Sequence, residues 1–171
     1  MNRLATFAIA LVLLVSATAG AQTRSRKTTR RNVPAKTTTS DAAASAAKLK
    51  GATTVANQIK NLTTFLYLLG GVAKEIEALD AAAKSGQASP TNERNKAQLK
   101  ASFEDFRVGL DQLEMTFRTT PELQPYYTKI VGSASGAADA EAQAGAGHFI
   151  QAGRTLIGVV GRLSDVLVAM G

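Results

Sequence analysis

The sequence contains no cysteine and no tryptophan, and only 5% of its residues are aromatic. Without cysteine the chain cannot form disulfides or cysteine-ligated zinc sites, and it has no thiol nucleophile or lipoprotein acylation site. The single histidine, His148, leaves no paired-histidine metal site and no Glu-x-x-His repeat of a di-iron bundle. Alanine and leucine must therefore supply most of the packing, which favours helices.

Sequence motifs for catalysis and nucleotide binding are also missing. Residues 132–136 read Gly-Ser-Ala-Ser-Gly, with alanine at the position where a nucleophile elbow needs serine, and no predicted strand precedes them. Residues 145–150 begin like a dinucleotide-binding glycine motif but end in Ile150, again without a strand before them. His148, beside a glycine turn, is interpreted as a surface or capping residue. The sequence therefore predicts no enzyme, no catalytic residue, no metal ligand and no cofactor.

The first residues have the pattern of a signal peptide. Arg3 precedes an apolar run, and Ala19, Gly20 and Ala21 form an A-x-A cleavage pattern, so we expect residues 1–21 to be removed. The run is shorter than the ~20 residues that a membrane span needs, which favours a signal peptide. Arg154, Arg162 and Asp165 disfavour a span in the last apolar stretch, so none is predicted in the mature chain. We expect an exported protein, periplasmic or secreted. The basic residues after the run favour the opposite orientation, so an N-terminal membrane anchor is the alternative.

The excess of positive charge is concentrated in residues 22–40. The whole chain has a net charge of +7, whereas the chain after residue 40 has equal numbers of acidic and basic residues. Few large apolar residues are present, so we predict a disordered tail that is a solvated tether or binds an anionic surface. No aromatic residue is interleaved for base stacking, which disfavours nucleic acid. The residues that would bind such a surface are Arg24, Arg26, Lys27, Arg30, Arg31 and Lys36.

Residues 41–171 are predicted to form one helical domain. Four coiled-coil-like stretches repeat apolar residues at alternating intervals of four and three, which is typical of helices with one buried face. These four seams run over residues 55–76, 99–117, 123–144 and 149–170. Leu68, Val72 and Leu79 lie beside the first seam and are expected to widen its buried stripe. Glu104, Arg107, Asp111 and Glu114 are expected to form an ion-paired surface on the second helix.

The seams and their flanking serine, proline and glycine residues predict helices over about residues 41–84, 90–118, 124–144 and 148–170. We expect the first helix to continue through Gly70 and Gly71 and to project at its N-terminal end. The glycines of residues 132–136 are expected to bend or break the third helix, and Gly153, Gly158 and Gly161 to mark tight packing of the fourth. The predicted fold is all-α, an up-down antiparallel four-helix bundle. A three-helix bundle, in which residues 136–170 form one helix, is the alternative. The register of the seam slips by one residue between 144 and 149, which favours a turn there.

Glu141 is the one acidic residue on an otherwise apolar seam. It is either a buried carboxylate that binds a ligand inside the bundle or an exposed residue on a frayed or rotated helix; the cost of burying a lone carboxylate favours exposure. Tyr126 and Tyr127 could line a pocket with it, or pack at the end of the bundle. These three residues form the candidate pocket.

Three classes of function are compatible with the sequence. The favoured one is a non-catalytic exported bundle that acts by protein–protein contact, as an adaptor, a scaffold or a chaperone-like module. The second is an envelope-associated protein that its basic tail holds to an anionic surface. The third, a small-ligand carrier or enzyme, would use the candidate pocket. No particular partner or oligomeric state is predicted.

Overall fold

The computed structural model describes residues 37–83 and 90–171, and every regular element within them is a helix. The helices are α1 (Thr37–Ala83), α2 (Pro90–Thr119), α3 (Gln124–Ile130), α4 (Ser133–Gly145) and α5 (Phe149–Met170). Together α3 and α4 make the third arm of a four-helix bundle. The predicted all-α bundle is thereby confirmed. The predicted signal peptide and most of the predicted tail, including its basic residues, lie outside the described residues.

The side-chain contacts show that neighbouring helices run antiparallel. Phe65 of α1 packs against Phe103 of α2, while Gln58, earlier in α1, reaches Gly109, later in α2. The same inverse order relates α2 to α4 and α4 to α5. In α1 and α5, Glu77 lies at Ile150 and Leu69 lies at Gly153. The helices of the bundle are therefore arranged in a ring, in which α1 and α4 each contact both α2 and α5.

The core is built from the four apolar seams. Every residue of the predicted seams is buried or half-buried, Glu141 included. Phe103, Phe117 and Phe149 are fully buried, and each such side chain contributes about 1.5–3 kcal/mol through removal from water. Phe65 adds a ring contact to Phe103, at 5.1 Å between centroids and nearly perpendicular planes, which joins α1 to α2.

The stripe of α1 is narrower than expected. Leu68, Val72 and Leu79 are 44%, 37% and 42% exposed, so the prediction that they widen the buried face is wrong. They lie on the side of α1 that faces α2, and α1 packs more extensively against α5 than against α2. The helix continues through Gly70 and Gly71, as expected. Both glycines face open space, so no neighbouring backbone approaches them.

The third arm breaks between Ile130 and Ser133, within the stretch whose glycines suggested a bend. Gly132 has φ +91°, a left-handed conformation that glycine adopts without a steric penalty. A Cβ atom there would also lie 2.7 Å from a guanidinium nitrogen of Arg162. That guanidinium donates a hydrogen bond of 2.9 Å to the carbonyl of Val131. The break is therefore fixed by the backbone and by α5.

The chain turns at residues 146–148, where the register of the seam slips. Gly147 has φ +86°, and His148 stands immediately before α5. Residues 136–170 are consequently two helices, and the three-helix alternative is not found.

At the opposite end of the bundle, the side chain of Leu123 fills the space beside Gly51 of α1. Residues 41–46, which precede this contact, are exposed apart from the half-buried Ala44. The first turns of α1 thus extend past the packed bundle.

Candidate functional site

The structure separates the residues of the candidate pocket. Tyr126 and Tyr127 lie half-buried on α3, where Lys48 Nζ stands 5.8 Å from the centre of the Tyr126 ring. Glu141 lies on α4 and lines a groove that neither tyrosine lines. The tyrosines pack near the end of the bundle, and Glu141 belongs to a different surface.

Glu141 is neither a lone buried carboxylate nor a freely exposed one. Arg107 of α2 donates a hydrogen bond from Nε to Glu141 Oε2 at 2.5 Å, and the two side chains are 37% and 34% exposed. The ion pair offsets the cost of a half-buried charge, which explains an acidic residue on an apolar seam. Arg107 therefore pairs across helices, and the predicted ion-paired surface within α2 is wrong.

A shallow groove of about 770 Å³ lies between α2 and α4, beside this ion pair, and it opens to solvent. Lys100 Nζ, which also lines the groove, donates a hydrogen bond of 3.0 Å to the carbonyl of Gly145. Glu104 lines the rim and has no ion pair among the described residues. The floor consists of small residues, which leave room for a projecting side chain: Ala97, Ala101, Ala138, Ala142 and Gly145.

Two glutamates cap helices other than their own. Glu114 of α2 accepts a hydrogen bond of 2.7 Å from the backbone N–H of Ala134, in the first turn of α4. Glu77 of α1 accepts one of 3.1 Å from the N–H of Ile150, in the first turn of α5. A carboxylate in this position satisfies a free N–H group and the positive end of the helix dipole. His148 is exposed at the N-cap position of α5, but its side chain makes no capping bond.

A polar cluster joins the end of α1 to the start of α2. Lys96 Nζ lies 2.5 Å from Asp80 and 2.8 Å from Glu93, and these hydrogen bonds raise the pKa of Lys96. Asn92, which is 4% exposed, donates to Asp80 at 2.9 Å. The cluster holds two neighbouring helix ends together, which is a structural role.

The most exposed large apolar side chains of the described residues lie on α1 and α5. Tyr67 is 83% exposed, Val168 82%, Leu49 69% and Ile157 59%. A helix rotates about 100° per residue, so Phe65 faces α2, Leu66 faces α5 and Tyr67 points outward on the side of α5. Leu49 precedes Tyr67 by five full turns and shares its side. We call the surface with these four residues the α1–α5 face.

The two helices of this face meet at a close contact. A Cβ atom at Gly153 would lie 2.9 Å from Leu69 Cδ2, which explains why the residue of α5 at this point is glycine. Ile157, one turn beyond Gly153, is therefore on the side of α5 that faces α1. Gly158 and Gly161 were expected to mark tight packing as well, but both face open space.

Charge differs between the two sides of the bundle. Between Asp41 and Lys74, α1 has lysines and no acidic residue, and Lys60 and Lys74 have no ion pair among the described residues. On the outer side of α2, Glu104, Val108, Asp111 and Met115 are exposed at intervals of four, three and four. We call this row, with the groove beside it, the α2–α4 face. One side thus presents lysines around apolar groups, and the outer row of α2 presents two carboxylates around apolar groups, with Lys100 in the groove beside them.

Sequence reasoning concentrated on buried seams and missed both faces. The sequence did contain a sign of the α1–α5 face, since Tyr67 lies one heptad from Lys60 and one from Lys74 on the side opposite the seam.

Within residues 37–83 and 90–171, no group of three or more acidic or histidine side chains could hold a metal ion. None of the helices described is both long and apolar enough to cross a membrane. The sequence matches no protein-family model, and neither a curated protein nor a solved structure is significantly similar to it.

Proposed function

We propose that this chain is a non-catalytic exported helical-bundle protein that acts by protein–protein contact, as an adaptor, a scaffold or a chaperone-like module. The observation that supports contact is the α1–α5 face, where Tyr67 and Val168 are more than four-fifths exposed. Exposed aromatic and aliphatic groups on rigid helices are typical anchors of protein interfaces, because they bury large areas at a small cost in conformational entropy.

Photo-cross-linking in the producing cells tests this proposal. A photoreactive phenylalanine analogue replaces Tyr67, and a matched variant carries it at Val131, which is exposed in the break of the third arm. We expect covalent adducts with protein from position 67 and few from position 131. Failure to obtain an adduct from position 67, at normal expression and export, would contradict a contact function of this face.

The mass of the native protein tests whether the signal peptide is removed on export. The native protein from the cell envelope or the medium should have the mass of a chain that begins at Gln22. A full-length mass in the membrane fraction would favour the alternative of a retained N-terminal anchor.

The second candidate is an envelope-associated protein that its basic tail holds to an anionic surface. The specific observation that favours it is the continuation of positive charge into α1, where lysines occur without an acidic residue from residue 42 to residue 74. Deletion of residues 22–40 should then abolish binding to anionic vesicles, and binding of the intact chain should weaken steeply as salt rises. Salt-independent binding that survives the deletion would exclude this mode.

A further inference from the structure

We propose that the α1–α5 face binds the α2–α4 face of a second copy of this chain, so that copies join head to tail. This inference rests on the proposed contact function and names the partner. The two faces lie on opposite sides of the bundle, because α1 and α4 each contact both α2 and α5 and are diagonal in the ring. A contact between two different faces leaves one of each free in every pair, so association continues beyond a dimer.

Charge complementarity favours a second copy as the occupant. Tyr67 on the α1–α5 face stands between Lys60 and Lys74, each seven residues away and therefore on the same side of the helix. On the α2–α4 face, Glu104 and Asp111 are also seven residues apart and neighbour Val108 and Met115. The lysines on one face are therefore spaced like the two carboxylates on the other, and Lys100 is a cation in the groove beside those carboxylates. Two copies of the same face would instead bring the lysines together, which disfavours a symmetric dimer.

The shapes of the faces also correspond. The α1–α5 face has projecting side chains, with Tyr67 and Ile157 at 83% and 59% exposure. The α2–α4 face has the groove of about 770 Å³ with its floor of alanine and glycine. An aromatic or aliphatic side chain that enters this groove loses water contact without displacing a large side chain. Glu104, on the rim, would then lie within reach of the lysines that flank Tyr67.

The size of the faces predicts weak association. Two packed helices are about 20 Å wide, and the length of α5 is about 33 Å. The contact then covers about 650 Å² on each copy, near the lower limit for specific interfaces. We therefore expect a dissociation constant in the micromolar range, with affinity that falls as salt screens the charges.

Sedimentation of the purified chain over about 1–500 µM tests the proposal. The average mass should rise with concentration past that of a dimer, and the rise should be smaller at high salt. Tyr67→Asp disables only the α1–α5 face, and Glu104→Lys disables only the α2–α4 face. Both side chains are exposed, so we expect each variant to fold normally and remain monomeric. Leu79→Ser and Asp139→Lys, which change exposed residues outside both faces, should associate like the unmodified chain.

Mixing the two disabled variants gives the decisive measurement. The Glu104→Lys copy retains an intact α1–α5 face, and the Tyr67→Asp copy retains an intact α2–α4 face. The mixture should form a one-to-one dimer and stop there, because each copy has only one usable face. A symmetric interface would give no such rescue.

Three results would overturn the inference. The unmodified chain could remain monomeric at every concentration, the mixture could fail to form a dimer, or the control variants could lose association as well. If the chain stays monomeric and Tyr67→Asp reduces its binding to vesicles of phosphatidylglycerol, the face belongs to an anionic lipid surface. If the adducts from position 67 contain a different protein and never a second copy, the proposed contact function stands and self-association is rejected.

Discussion

The α1–α5 and α2–α4 sides of the bundle are held together in different ways. Between α2 and α4 three polar contacts lie beside the buried seams: Arg107 pairs with Glu141, Lys100 reaches the carbonyl of Gly145, and Glu114 caps α4. Between α1 and α5 the helices approach through Gly153, against which Leu69 packs directly. On the first side Arg107, Lys100 and Glu114 make contacts within the molecule, whereas on the second side the corresponding polar contact is the cap that Glu77 makes on α5. On the second side the flanking lysines remain unpaired among the described residues.

This difference indicates that one set of residues stabilises the fold of the bundle and another set is available for contact with a partner. The groove between α2 and α4 exists because small residues line it, and the polar bonds beside it hold the helices at that spacing. The close packing of α1 on α5 places Tyr67 and Ile157 outside the core, where they contribute little to folding. We therefore expect substitutions in the buried seams and caps to change stability, and substitutions on the outer faces to change association.

The largest loss of stability is expected from Phe103→Ala. Phe103 is fully buried and contacts the ring of Phe65, so its truncation leaves a cavity where α1 meets α2. The free energy of unfolding should fall by about 3–5 kcal/mol in urea titrations. Tyr67→Ala, which also removes an aromatic ring from a helix, is the matched control and should change it by less than about 0.5 kcal/mol. Equal losses would mean that Tyr67 is part of the core.

The next largest effect tests the close approach of α1 and α5. Gly153→Leu inserts a side chain where even a Cβ atom would lie 2.9 Å from Leu69 Cδ2. Thermal unfolding should report a loss of about 1–3 kcal/mol from overpacking. In the same helix, Gly158→Ala places its methyl group in open space and should gain up to about 1 kcal/mol from helix propensity. A neutral Gly153→Leu variant would show that the two helices separate readily.

A smaller loss is expected when the cap of α4 is weakened. Glu114→Gln removes the negative charge that faces the first turn of α4 and weakens the bond to the N–H of Ala134. We expect a loss of about 1 kcal/mol or less, measured by chemical denaturation. Glu104→Gln is the control, because Glu104 lies on the same helix and has no ion pair among the described residues. If the two variants are equally stable, the cap contributes nothing.

The helices could be predicted because apolar residues recur at the helical period. Glycine residues near positions 132 and 147 also indicated where the third arm would bend and where the last helix would begin. In both places the structure has a glycine with positive φ. The helical repeat of apolar residues does not determine which adjacent helix covers each side of a given helix. For that reason Leu68, Val72 and Leu79 were assigned to the buried stripe, although the neighbouring helix leaves them partly exposed.

Contacts between distant residues were not predictable in the same way. Glu141 stood out on its seam, but its partner Arg107 is on another helix and had been assigned to a surface within α2. Glu114 caps an N–H group that becomes free only because the third arm breaks at Gly132. The exposed faces follow from the packing order of the helices, which a single sequence does not give. For the same reason the sequence could not show that Tyr126 and Tyr127 lie on α3 while Glu141 lies on α4, in a groove that neither tyrosine lines.

The smallest effect is expected at the ion pair of Arg107 and Glu141. A double-mutant cycle with Arg107→Met, Glu141→Gln and the combined variant isolates the interaction between the two side chains. Both are about one-third exposed, so solvent screening limits the coupling to about 0.5–1 kcal/mol, and the coupling should decrease as salt rises. Lys60→Met on the α1–α5 face is the control and should leave stability unchanged at any salt concentration. A coupling near zero would mean that packing alone sets the spacing of α2 and α4, and the groove should then persist in the combined variant.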